Sequence, residues 1–101
     1  MRVCNEKIRH LKYESLRRQL QEIPYWPHRY THKVIGLNAN DFKQSIDEFE
    51  SLFPGLKVIS KNESRNARYL ACTYELEANH VDEIISLWVA SEELKDCVRV
   101  M

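Results

Sequence analysis

The chain has 101 residues, 44% of them hydrophobic and 30% charged, with two glycines and three prolines. That is the size and composition of one ordinary globular domain, and it excludes a collagen-like repeat or a disordered chain. No apolar run approaches the roughly 20 residues that span a bilayer, and the opening MRVCNEKIRHLK lacks the apolar core of a signal peptide, so the expectation is a cytoplasmic protein with no membrane partner.

The net charge of zero is unevenly spread. Residues 1–33 hold eight Lys/Arg against three Asp/Glu, a balance of +5, and residues 34–101 hold seven against twelve, a balance of −5. A basic arm before an acidic body can serve nucleic acid or a membrane surface, or fold back on its own domain.

From Glu6 to Glu22 the apolar residues Ile8, Leu11, Leu16, Leu20 and Ile23 fall at roughly helical spacing. Pro24 and Pro27 end that helix, and Tyr25 and Trp26 between them are expected to pack the arm onto the body. Residues 1–29 are therefore read as a helical arm and linker, and residues 30–101 as the domain.

The domain opens with RYTHKVIGL, β-branched and aromatic enough for a strand. Asn40 is expected to cap a helix with Phe42, Ile46, Phe49 and Phe53 on one side, and Asp41 suits its positive end. Pro54-Gly55 closes it. LKVISK is a short strand, NESRN a loop and ARYLACTYELE a longer alternating strand. Asn79 is expected to cap a second helix bearing Val81, Ile84, Ile85 and Trp88, and CVRVM forms a last strand.

Strand, helix, strand, strand, helix, strand is the α+β, ferredoxin-like βαββαβ order. Two right-handed crossovers would put both helices on one face of a four-stranded antiparallel sheet, with the N-terminal helical arm as an addition. The first and third strands, the longest, should be central. Residues 24–101 also resemble the YbeD-like family of small bacterial proteins, through PYWPHRYTHKVIGL, a Phe-bearing helix, NHVDEIISLW and the terminal VRVM. The resemblance implies a ferredoxin-like domain similar in shape to the regulatory ACT domains, and it brings no catalytic residues.

The candidate chemistries are weak. Cys4, Cys72 and Cys97 have no CxxC spacing, and Cys72 in a strand is read as a small buried apolar residue. His28 and His32 enter a strand, where residues four apart lie roughly 13 Å from each other, too far for one metal. His80 is explained by the first turn of a helix. The loop GLNAN lacks the arginine that acyl-phosphate hydrolases of this fold place after the first strand, and no nucleophile motif is present. Asp47, Glu48, Glu50, Asp82 and Glu83 read as solvated helix faces. The expectation is no enzyme, no cofactor and no metal.

Gly36 is read first as the place where the strand bends out of the sheet, since one glycine with no following lysine is not a phosphate loop. In ACT-like domains the corresponding turn lines an amino-acid site, which makes Gly36 and Asn38 ligand candidates by resemblance. If Val34, Leu70, Cys72, Leu76, Val98 and Val100 face the helices, period two puts Thr31, Lys33, Ile35, Tyr69, Ala71, Thr73 and Arg99 on the opposite face. That half-apolar, half-basic face suits a protein partner or a second copy, with Lys33, Tyr69 and Arg99 as contact candidates. The first reading is therefore a regulatory or adaptor domain acting through protein contacts, at this face or through the arm, or through a small-molecule ligand. The alternative is a nucleic-acid binder using the arm and Lys57, Lys61, Arg65 and Arg68 around the hairpin. The acidic helices and the opposed Tyr69 and Tyr74 count against it. An enzyme stays a remote third.

Overall fold

The computed structural model describes residues 13–101. Helix α1 (Glu14–Gln21) precedes β1 (His28–Leu37), α2 (Asn40–Leu52), β2 (Lys57–Glu63), β3 (Tyr69–Ala78), α3 (Val81–Ser91) and β4 (Cys97–Val100). The strands form one antiparallel sheet in the order β2-β3-β1-β4, with the two longest strands in the centre. This is the ferredoxin-like arrangement. Strand β1 starts at His28, two residues ahead of the boundary expected between linker and domain.

Both crossover helices lie on the same face. Phe42, Ile46 and Phe49 of α2, spaced four and three apart, meet Leu87 of α3 and Val34, Leu70, Cys72 and Tyr74 of the central strands in one buried cluster. Aromatic rings set its centre: Phe49 lies 5.6 Å from Tyr74 and 6.2 Å from His32, centroid to centroid. Two polar groups are accommodated there by paired bonds. Tyr74 Oη donates to Glu50 Oε2 at 2.8 Å, and that same oxygen takes Lys61 Nζ at 2.8 Å. Ser45 Oγ donates back to the α2 carbonyls of Asp41 and Phe42 and accepts from Lys95 N at 3.1 Å, which ties the α3–β4 connection to α2.

Helix α3 is apolar on a second side as well, and that side explains the arm. Ala78, Val81, Ile84 and Ile85 form another buried cluster with Tyr13 and Leu20, flanked by Leu16, Ile23, Trp26 and Trp88. This second cluster lies between α1, α3 and the sheet, since Ala78 of β3 belongs to it and Tyr30 and Leu76 of the central strands pack against it. A helix as short as α1 is marginal alone in water, so this burial holds it. Two polar contacts fix its direction along α3: Tyr13 Oη donates to Glu92 at 2.8 Å, and Arg17 pairs with Asp82. Trp26 packs as expected, but Tyr25 is 79% exposed and anchors nothing among the described residues. Ile8 and Leu11, expected on the same stripe, lie outside the described residues.

The helix starts differ by one residue from expectation. Helix α2 begins at Asn40 itself, with Ala39 in the capping position and no side-chain cap. Helix α3 is capped by His80, whose Nδ1 accepts from Asp82 N at 3.1 Å, while Glu83 reaches back to Asn79 N at 2.6 Å. The pair works like a capping box shifted by one residue, with His80 taking the second helical N–H and Glu83 the N–H ahead of the cap. Val98, expected to face the helices, is 60% exposed. The β1–β4 register slips between Ile35 and Gly36, so Arg99 opposes Ile35 while Cys97 opposes Gly36, and Val98 is the extra residue of a bulge. The other edge has the same device at Ile59, between the pairs Val58–Tyr74 and Ser60–Thr73. Bulged edges resist pairing with a foreign strand.

Candidate functional site

The sheet face away from α2 and α3 is laid out by register. In β1 and β3, Lys33 opposes Thr73, Ile35 opposes Ala71 and Leu37 opposes Tyr69. Strand β4 adds Arg99 beside Ile35, and Met101 exchanges backbone hydrogen bonds with Lys33 at 2.7 and 2.9 Å. Strand β2 adds Asn62 beside Ala71 and Ser60 beside Thr73. Since paired residues of antiparallel strands share a face, these side chains form a continuous field.

The field is polar at one end and mixed at the other. Thr31, Glu75 and Lys57 occupy one row, and Arg29 Nε lies 3.5 Å from Glu75 Oε1. The rows of Lys33 and Ile35 hold Lys33 and Arg99 beside Ile35, Ala71 and Met101 with no carboxylate side chain, and the next row holds Leu37 and Tyr69 with Asp96 at its edge, where the Asp96 carbonyl accepts from Leu37 N at 3.0 Å. Leu37 is 39% exposed and Met101 48%. Neither was named from the sequence, although period two from Ile35 and from Arg99 reaches both.

Lys33, Tyr69 and Arg99 thus share this face. Gly36 and Asn38 do not join them there. Gly36 is buried on the helix side, and its φ is not positive. A Cβ at this position would lie 2.3 Å from Phe42 Cδ1 and Cε1, so the missing side chain is the space in which the Phe42 ring sits. The glycine serves packing between β1 and α2 rather than a turn. Asn38 links loops: its Nδ2 donates to Ala67 O at 2.9 Å, and its backbone N–H donates to Arg68 O at 2.9 Å. Its Oδ1 is buried without a hydrogen-bond partner among the described residues.

The basic residues of the nucleic-acid alternative are dispersed. Lys57 lies on the open face opposite Glu75, while Lys61 opposes Cys72 on the helix side and is held by Glu50. Burial works against the Lys61 charge, but the Glu50 hydrogen bond and charge outweigh it and raise its pKa. Arg65 and Arg68 are exposed in the β2–β3 loop.

Cys72 and His32 are enclosed, Cys97 is half-buried, and His80 is exposed at its helix start. Cys72 is fully buried, and burial pushes the thiols of Cys72 and Cys97 up, away from the thiolate that reactivity needs. Cys4 lies outside the described residues. His32 sits inside the core with Nε2 2.9 Å from Ser91 Oγ, and burial lowers its pKa to about 4. Tyr30 Oη accepts from Trp88 Nε1 at 2.7 Å, and burial raises its pKa. No group of three His, Cys, Asp or Glu side chains among the described residues could hold a metal. No described helix is long and apolar enough to cross a membrane.

Among solved structures, the solution structure of protein HP0495 from H. pylori matches this chain with a TM-score of 0.57. The match covers 76% of this chain and 84% of that one, at 19% sequence identity. What they share is the fold. No protein-family model and no curated protein matches the chain.

Proposed function

We propose that this chain is a non-enzymatic adaptor or regulatory domain, ACT-like in layout and YbeD-like in family, that works by binding a protein through the open face of its sheet. One observation carries this reading. The rows from Lys33 to Leu37 combine Ile35, Leu37, Tyr69 and Met101 with the cations Lys33 and Arg99, with no carboxylate side chain in the rows of the two cations and no described helix over them. Apolar surface of this kind supplies affinity when covered, and its rim of one charge sign selects the partner. The complement is a protein surface that is apolar at its centre and acidic at its border.

The enclosure of Cys72 and His32 and the raised pKa of both described thiols favour binding over catalysis. The small-molecule route to regulation draws less support at the Gly36 turn, where Phe42 fills the space.

The test compares capture of protein partners by the immobilised chain, by Lys33→Glu/Arg99→Glu and by Arg65→Glu/Arg68→Glu. A partner held by the wild type and by the loop variant, but released by the face variant, is the expected result. A homodimer in sedimentation that only the face variant dissociates identifies the partner as a second copy. Equal capture by all three chains refutes the face, and capture of RNA that only the loop variant loses supports the nucleic-acid alternative.

A further inference from the structure

Helix α1 runs antiparallel to α3. At its start the Tyr13 ring lies 5.9 Å from Trp88, centroid to centroid, and its hydroxyl bonds Glu92, just past the end of α3. At its far end Gln21 shares a small concavity with His80 and Val81, where α3 begins. The chain therefore enters the described structure beside the C-terminal end of α3, and residues 1–12 are tethered at that point.

A groove opens at the same place. It lies between the end of α3 and β4, with a volume of about 280 Å³. Leu94, Cys97 and Val100 form its floor, where they join the main core. Glu92, the residue that holds Tyr13, stands at its wall, and the bulge residue Val98 is 60% exposed at its rim. Arg99 also borders the groove, but its pairing with Ile35 turns that side chain toward the open face.

The tethered segment matches this groove in charge, apolar content and reach. Residues 1–12 hold four Lys/Arg against Glu6, a balance of +3, while residues 92–96 hold three carboxylates against Lys95, a balance of −2. The last turn of α3 carries no basic residue, so its carbonyl end adds to the negative side. Leu16 and Leu20 of the arm's apolar stripe are already spent on α3, which leaves Ile8 and Leu11 to be covered beyond its end. Twelve residues span about 18 Å as a helix or about 40 Å extended, and a strand as short as β4 is about 13 Å long, so either conformation reaches Val98 and Val100.

We infer that residues 1–12 lie in the α3–β4 groove of their own chain, with Ile8 and Leu11 against Val98 and Val100 and the basic side chains toward Glu92 and Glu93. This strap covers the bulged β4 edge. It rests on the tether and the groove and stands independently of the partner-binding reading.

The experiment uses the full chain with ¹³C-labelled isoleucine, leucine and valine methyls. NOEs from Ile8 or Leu11 to Val98 or Val100 are expected. Val98→Lys alters an exposed bulge residue, so the shifts of β2 and β3 should persist while these NOEs vanish. Trypsin should then cut at Lys7, Arg9 and Lys12 about fivefold faster than in the wild type, because cleavage follows the released fraction. Ile8→Ser/Leu11→Ser, made in the segment itself, should speed cleavage likewise and move the amides of Cys97 and Val98. The inference is overturned if the NOEs of Ile8 and Leu11 are absent or lead elsewhere, or if either variant is cut at the wild-type rate. NOEs that cross between labelled and unlabelled chains in a mixed sample overturn it too, since the groove then holds the N-terminal segment of a second copy.

Discussion

Lowering the pH should destabilise this protein through His32, and the size of the effect follows from its surroundings. The ring is fully buried, stacked against Phe49 and edge-on to Trp88 at 5.4 Å. Ser91 Oγ donates its hydrogen to Leu87 O at 2.7 Å, so it accepts from His32 Nε2–H, and the ring is neutral with its proton on Nε2. A second proton must go to Nδ1, which has no hydrogen-bond partner among the described residues. Burial therefore lowers the pKa from 6.5 to about 4.

The sign is that of a base resisting its proton in the fold. As pH falls through 6.5 the unfolded chain takes up the proton and the folded chain does not, so stability is lost between about pH 6.5 and about pH 4 and levels off below. The displacement corresponds to about 3 kcal/mol over the whole window, and about 2 to 3 kcal/mol of it is lost by about pH 4.5. The assay is urea denaturation of the wild type and of His32→Phe at about pH 7 and about pH 4.5. Phenylalanine fills the volume and leaves Ser91 bonded to Leu87, so its cost at neutral pH should be about 1 kcal/mol. Carboxylate contributions are common to both chains and cancel in the difference. Equal losses in the two chains on acidification, or a His32 ring that titrates by NMR near 6.5, would refute the argument.

Gly36→Ala should cost about 2 to 3 kcal/mol in urea melts, because the new Cβ lands 2.3 Å from the ring of a fully buried Phe42 that has nowhere to move. A loss below about 0.5 kcal/mol would show that the glycine serves something other than packing. Deleting residues 1–22 removes Tyr13, Leu16 and Leu20 from Val81, Ile84 and Ile85, and should lower stability by about 2 to 4 kcal/mol once the entropy of ordering the helix is set against the burial. The truncated chain should also associate more readily, as light scattering would register, and an unchanged melting curve would show that α1 contributes nothing to the body.

The order of elements and the side of the sheet that takes the helices were legible from local pattern. Phe42, Ile46 and Phe49 repeat at helical spacing, Leu70 and Cys72 at strand spacing, and a buried face at period two admits one register only. The same alternation placed Lys33, Tyr69 and Arg99 together on the open face. Local pattern is sufficient there because each element buries one face, and that face is written in its own residues.

What depended on distant residues could not be read in this way. His32 continues the row of Val34 into the core, but a buried histidine is tenable only because Ser91, 59 positions away, accepts its hydrogen bond. Gly36 looked like a turn because its reason, the ring of Phe42, comes from the next helix. Val98 left the helix-facing row because a bulge adds one residue to an edge strand, and alternation along one strand does not reveal where its partner slips. A concavity lined by Leu52, Phe53, Leu76 and Glu83 exists only because the fold lays the end of α2 beside the start of α3. The sequence by itself determined the period, and so the apolar face, of each helix and of the central strands. The tertiary structure decided which of them meet, since a hydrogen bond or a cavity belongs to two segments and the pattern of either one describes only half of it.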